Sequence, residues 1–373
     1  MAHSYTPGLR VSDAAVVRRE RRLPLRGDVL VRSGDRVEPD TVVARTELPG
    51  NVQALNLSGK LGLEPARVAE ALLRPVGSRV ARGESVASAR SLFGLVRTVV
   101  EAPADGVLES VSTVTGQLLL REPPMPVEIA AYVSGVVAEV LPAEGVVIEA
   151  RGAFLQGIFG VGGETFGDIE VLGSGPDDEL RREHLGPALA GRVVVGGAYV
   201  SYETLLAARD AGVAAVVVGG FDDRDLRRLL GRDLGVAITG GEDIGLTLVL
   251  TEGFGRIPMA HRTWGLLERH HGRTASVSGA TQIRAGVQRP EILVPHDVPG
   301  DGAPDEDEGG LEVGSQVRVI RPPWFGRIGR VSELPTELRA LETEARVRVL
   351  VVEFAEGAGS AVVPRANVER ISG

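Results

Sequence analysis

The chain has no cysteine, which excludes disulfides, thiolate metal sites and cysteine nucleophiles. It has one lysine, Lys60; the other Lys/Arg positions are all arginine. Arginine stays protonated and forms neither a Schiff base nor a side-chain amide, so lysine chemistry is confined to a single position. No apolar run reaches the ~18 residues of a bilayer-spanning helix, so no membrane segment is expected. The opening stretch "MAHSYTPGLRVSDAAVVRRERR" lacks an apolar core followed by a small-residue cleavage site. No signal peptide is therefore expected, and the cytoplasm is the expected compartment. The formal net charge of −9 argues against a general nucleic-acid coat, which would be basic overall.

Familiar catalytic signatures are missing too. There is no P-loop, no strand-borne GxGxxG and no GxSxG, and neither Ser201 nor Ser276 has a visible base partner. The histidines His3, His184, His261, His270, His271 and His296 form no HExxH or HxH. His270 and His271 are adjacent and point to different faces of a helix, so no metal site is expected from the spacing.

What is present is an ordinary globular composition, 24% charged and 43% apolar over 373 residues, enough for two to four domains. Residues 1–19 read as an N-terminal arm. The cluster "RRERR" (Arg18–Arg22) is either a contact for an acidic partner or RNA, or a solvated face. Two segments then repeat at an offset of 43: "SGDRVEPDTVVAR" (Ser33–Arg45) aligns with "VGSRVARGESVAS" (Val76–Ser88). A second pair repeats at an offset of 29: "GVLESV" from Gly106 aligns with "GVVAEV" from Gly135. Short strands joined by Gly and Asp turns predict an all-β region over 20–175, a sandwich or small barrel of two interlocked halves. A helical insertion near 60–75 interrupts it, with Pro65 in a first helical turn and Val68, Leu72 and Leu73 on one face. The glycine-dense run "FLQGIFGVGGETFG" (Phe154–Gly167) lacks GxxxxGK[ST] and reads as turns closing the β-region.

On "SGDRV", "VGSRVARGESVA" and "APADGVLESV", this region resembles the barrel-sandwich hybrid of biotinyl and lipoyl domains. In those domains a hairpin tip carries the modified lysine. Here the tip reads "SLFGLVR", with Arg97 and no lysine, and Lys60 lies in the helical insertion. No biotin or lipoate is expected. The resemblance then implies docking or scaffolding, with Leu92, Phe93 and Leu95 as an apolar contact surface.

From 185 to 296 the pattern changes to strand–helix alternation: "GRVVVGG", "SYETLLAARDAG", "VAAVVVGG", "DDRDLRRLLG", "LTLVLTEG", "MAHRTWGLLERHHG" and "RTASVSG". Uniformly apolar strands predict a parallel-sheet α/β domain covered on both faces. Asp222 is placed to cap the second helix. Ligands in such sheets sit past the carboxyl ends of the strands. That rule selects Gly219, Gly220, Thr251 and Glu252, with Glu242 in "ITGGEDIG" and Thr281, Gln282 and Arg284 in "GATQIRAG". Either these groups hold a small anion, or the glycines serve tight turns and close backbone approach while the arginines pair with local acids.

Residues 297–311 are an acidic, Pro- and Gly-rich linker. Residues 312–373 resemble a KOW-type SH3-like barrel, as in NusG-type transcription factors and several ribosomal proteins. The resemblance rests on Gly314, Val317, Val319, Gly326, Gly329 and Val331, and on the closing "VPRANVERI". The first turn departs from the usual pattern, having Pro322-Pro323-Trp324-Phe325 where a Gly-Pro or Lys-Gly step is common. Arg321, Trp324, Phe325 and Arg327 are the candidate partner-binding residues. Residues 311–373 carry nine Arg and eight Glu, so strong phosphate-driven RNA affinity is not expected.

The fold class expected is multidomain α+β and α/β: a β-rich barrel-sandwich-hybrid-like region, a parallel-sheet α/β domain and a C-terminal SH3-like β-barrel. The function expected is a non-enzymatic binding or scaffold protein that presents its KOW-like module to a protein partner, or to RNA or ribonucleoprotein of the transcription or translation machinery. The alternative is an enzyme or sensor for a small anionic metabolite.

Overall fold

The computed structural model describes residues 9–91, 96–231, 242–281, 288–297, 311–319, 324, 327–335, 338–340, 346–354 and 359–370. Within the stretch read as an arm and a basic cluster, Val11–Arg22 form one strand, β1, followed by β2 (Asp28–Val29), β3 (Arg36–Val37) and β4 (Val42–Leu48). Next come β5 (Val52–Asn56), β6 (Arg79–Val80), β7 (Ser85–Ser91), β8 (Val96–Glu101), β9 (Gly106–Val111) and β10 (Gln117–Arg121). Then follow β11 (Met125–Ala130), β12 (Gly135–Leu141) and β13 (Gly145–Gln156).

The two sequence repeats are two copies of one folding unit, nested rather than side by side. The outer copy is ordered β1-β13-β12-β3 and the inner copy β5-β10-β9-β6. Gly135 faces Val37 across β12 and β3, as Gly106 faces Val80 across β9 and β6. The N–H of Gly34 donates to Val137 O (2.8 Å) and that of Val137 to Asp35 O (2.9 Å). In the inner copy the N–H of Gly77 donates to Leu108 O (2.7 Å) and that of Leu108 to Ser78 O (3.0 Å). Each copy also has a hairpin, β4 with β11 and β7 with β8. The inner copy, residues 52–121, is inserted at the end of the outer hairpin, where Leu48 pairs with Met125. The apolar positions match as well: Val37, Val43, Val137, Val146 and Ile148 fill the outer core, and Val80, Val86, Leu108, Leu118 and Leu120 fill the inner one.

Between β5 and β6 lies the predicted helical insertion. It is a five-residue helix, α1 (Leu57–Leu61), followed by a 3-10 segment over Pro65–Ala71. Asn56 caps α1 by accepting the Gly59 N–H, and Gly62 ends it in the left-handed region. Val68 is buried as expected, whereas Leu73 is exposed.

The third part starts with β14 (Phe159–Val161), β15 (Glu164–Val171), β16 (Glu179–Leu180), β17 (Val193–Val195), β18 (Tyr199–Val200) and α2 (Tyr202–Asp210). It continues with β19 (Ala215–Phe221), α3 (Asp223–Leu230), β20 (Thr247–Phe254), α4 (His261–Arg269), β21 (Thr274–Ser278) and β22 (Glu291–Pro295). One mixed sheet runs β14-β20-β19-β17-β15-β21-β22-β13 and on into the outer β unit. Strands β15, β17, β19 and β20 are parallel; β14, β21 and β22 join antiparallel. The glycine-dense run is therefore strand rather than turn for much of its length, and β14 forms the edge beside β20. The apolar strands are explained by two cores. Val216, Val218, Leu248 and Leu250 pack under Leu205 of α2 and Leu226 of α3. Ala215, Val217 and Val249 face the other way, onto Trp264 and Leu267 of α4. Asp222 caps α3 as expected, accepting the Arg224 N–H at 2.8 Å.

The last part comprises β23 (Gln316–Val319), β24 (Ile328–Glu333), β25 (Leu338–Ala340), β26 (Arg346–Phe354), β27 (Ser360–Pro364) and β28 (Val368–Arg370). The order is β25-β26-β24-β23-β28, with β27 on β26. Val317, Val331, Leu350, Val352 and Val368 form its core, and β28 pairs with β23 so that the last strand returns to the first. Among the described residues no helix is long and apolar enough to cross a membrane.

Candidate functional site

The strand ends of the central sheet are filled by the protein's own groups. Gly219 and Gly220 lie where the segment after β20 crosses the sheet. A Cβ on Gly219 would lie 2.0 Å from Ile257 O, and one on Gly220 would lie 2.0 Å from Gly255 O. Their freedom from side chains admits another backbone. The Thr251 hydroxyl is buried and donates to Val218 O at 3.4 Å. Glu252 is buried too: Oε1 accepts the Ala260 N–H at 3.0 Å where α4 begins, and Oε2 meets Arg318 Nη2 at 2.6 Å.

Arg318 comes from β23. Along that strand Val317 and Val319 point into the small domain's core, so by strand alternation Arg318 points outward. It is nevertheless only 1% exposed. The central domain covers it, and the ion pair couples the two domains.

Of the remaining predicted ligand residues, Glu242 and Thr281 are not gathered at these strand ends. Glu242 is half-buried ahead of β20, at the other end of that strand from Glu252. Thr281 is buried beside β14, where its hydroxyl accepts the Gly160 N–H (2.8 Å) and donates to Gly160 O (3.0 Å). Gln282 and Arg284 lie outside the described residues, as do Leu92, Phe93, Arg321 and Phe325. In the C-terminal domain Trp324 is half-buried. Its ring centre lies 5.4 Å from that of Phe354, and the Arg327 guanidinium lies 5.2 Å from it. Arg327 itself is exposed.

The arginines of β1 are paired along the strand. Arg18 meets Glu149 at 3.2 Å, Arg21 meets Glu164 at 2.8 Å, Arg22 meets Glu144 at 2.6 Å, and Arg19 pairs with Glu291. The cluster is thus a paired strand face on which Arg18 and Arg22 stay largely exposed, as the solvated-face reading expects. Hydrogen bonds from Arg151 and Arg18 hold the Glu149 carboxyl below its ordinary value.

A second polar site is assembled by the fold alone. A bulge in β1 between Ser12 and Ala15 carries Asp13, α4 ends at His270, and His296 follows β22. Asp13 Oδ1 lies 2.8 Å from His270 Nε2 and 3.3 Å from His296 Nε2, and Arg269 holds Oδ2 at 2.7 Å. Burial pushes the Asp13 carboxyl up, but the His270 hydrogen bond and the charges of His270, Arg269 and His296 outweigh it and bring it below its ordinary value. The histidine rings are stacked with centres 5.0 Å apart. Sequence spacing gave no sign of this group, because its members come from three remote elements.

No family model matches this chain, and no curated protein is significantly similar to it.

Proposed function

We propose that this is a non-enzymatic binding or scaffold protein in which the nested β units and the central domain form a platform, and the KOW-like C-terminal domain meets a macromolecular partner. The partner class that the resemblance favours is the transcription or translation machinery. The observation carrying this reading is the Glu252–Arg318 pair. The position that an α/β enzyme would keep open for a ligand is taken by the protein's own C-terminal domain. Thr251, with its bond to Val218, and Thr281, with its bonds to Gly160, serve the fold in the same way. The barrel-sandwich resemblance of the β units, with no lysine at the inner hairpin tip, fits a platform rather than a carrier.

The exposed rim at Arg327 is the surface to test. Tagged full-length protein would be purified from its own cells with nuclease treatment, and its companions identified by mass spectrometry. Ribosomal or polymerase subunits that co-purify with the parent and are lost with Arg327→Glu support the reading. A partner-free protein that carries a stoichiometric small anion overturns it in favour of a metabolite-binding role.

A further inference from the structure

We propose that Asp13, His270 and His296 bind a first-row divalent transition-metal ion, zinc being the reference case, at the junction of β1, α4 and β22. The site does not depend on the scaffold reading. Metal–ligand bonds of about 2.0–2.2 Å place neighbouring donors ~3.4 Å apart in a tetrahedron and ~3.0 Å apart in an octahedron. The three donor atoms here lie within 4.8 Å of one another, and Asp13 Oδ1 is 2.8 and 3.3 Å from the two Nε2 atoms. An ion bound to both Nε2 atoms would sit ~3.2 Å from each ring centre, and the two centres, 5.0 Å apart, are near enough for one ion to reach both rings.

The surrounding polar groups converge on the same spot. His296 Nδ1 lies 3.1 Å from Asp297 O, a carbonyl placed to orient the ring from its far side. His296 Nε2 faces two oxygens of Asp13, O at 2.8 Å and Oδ1 at 3.3 Å. His270 Nδ1 is buried with no hydrogen-bond partner, so its ring is oriented from the Nε2 side. Arg269 binds Asp13 Oδ2 and leaves Oδ1 for the ion, the outer-shell arrangement that orients a ligating carboxylate. Two imidazoles and a carboxylate select zinc, cobalt, nickel or copper over magnesium or calcium. The Asp13 side chain is 42% exposed, which gives the ion an entry path and leaves room for water to complete its coordination.

The test uses the tag-free, chelator-treated full chain. Zinc is titrated by calorimetry, and cobalt(II) by its visible spectrum. The parent should bind one equivalent, and its thermal midpoint should rise with free metal. His296→Gln lies at the edge of the cluster and should keep the fold while losing at least tenfold in affinity. Arg269→Ala should lose about tenfold, the usual scale for an outer-shell group. His271→Gln is the control: its Nδ1 accepts the Val171 N–H at 3.1 Å, outside the cluster, and its affinity should match the parent's. A folded parent with no saturable binding overturns the site, and so does equal binding by the parent and folded His296→Gln.

Discussion

Glu252 and Arg318 form an ion pair with Oε2 and Nη2 2.6 Å apart and only 6% and 1% of their side chains exposed. Taking two charges out of water costs several kcal/mol each, and removing one partner leaves the other uncompensated, at about 3–5 kcal/mol. Arg318→Met should therefore destabilise the whole chain by that order. Glu252→Gln/Arg318→Met should recover most of the loss, because the amide oxygen still accepts the Ala260 N–H. A double-mutant cycle in urea measures this. Additive losses would show that the pair is not coupled.

The nested copies predict matched responses at matched glycines. A Cβ on Gly106 would lie 2.3 Å from Arg121 O, and one on Gly135 would lie 2.4 Å from Glu149 O. Each alanine forces a strand apart, at roughly 1–3 kcal/mol. Gly34 and Gly77 share a φ of +91° with open space around them, so alanine there meets only the left-handed penalty, about 1–2 kcal/mol. Chemical denaturation of the four variants should show the same effect within each pair. A pair differing by more than ~2 kcal/mol would break the equivalence of the copies.

The duplication was legible because Gly-polar-Arg-Val and Gly-Val recur at fixed offsets, and those residues form the paired strands β3/β12 and β6/β9. Nesting was not legible, since local patterns do not say which hairpin an insertion interrupts. The apolar runs around Val216 and Val249 announced strands covered on both faces, and both faces are covered. Arg318 gave no signal: between two core valines it reads as solvent-facing, and only domain placement buries it. The grouping of His270 and His296 with Asp13 was not legible from their spacing, because the three come from remote elements that only the fold brings together. The ion pairs of the "RRERR" run were not legible because its partners Glu144, Glu149, Glu164 and Glu291 lie more than a hundred residues away.

At the C-terminal domain, stability and recognition should separate. Trp324 packs on Phe354, so Trp324→Ala should cost about 2 kcal/mol, less than the 3–5 of a fully buried aromatic. Arg327 lies over both rings from the exposed side, and Arg327→Glu should cost about 1 kcal/mol of stability, the scale of an exposed cation–π contact. If Arg327→Glu unfolds the domain, its effect on partner capture says nothing about recognition.

Tyr132 offers a test by pH. Its φ is +69°, a conformation costing an L-residue about 1–2 kcal/mol. The surroundings hold it there: its N–H donates to Pro39 O at 2.9 Å, Arg21 lies 5.5 Å from the ring centre, and the hydroxyl meets Glu291 Oε1 at 3.3 Å. Burial, with the nearby charges of Glu291 and Glu164, pushes the phenol well above its ordinary value of 10.0. The folded protein therefore keeps a proton that the unfolded chain gives up. The stability linked to this group is fully present below pH 10 and is lost as pH rises from there toward the folded value. With one lysine and four tyrosines in the chain, the tyrosines carry most of the titration above pH 10. Tyr199 is shifted up as well, chiefly by burial, so some slope should survive. Tyr132→Phe keeps the ring under Arg21 and should lose about 1 kcal/mol at neutral pH with the hydroxyl's bond. Above pH 10 its stability should fall less steeply than the parent's, so that the two curves converge. Denaturant midpoints measured from pH 8 to 11.5 decide it, and parallel curves would mean that the Tyr132 phenol ionises in the folded state as readily as in the unfolded chain.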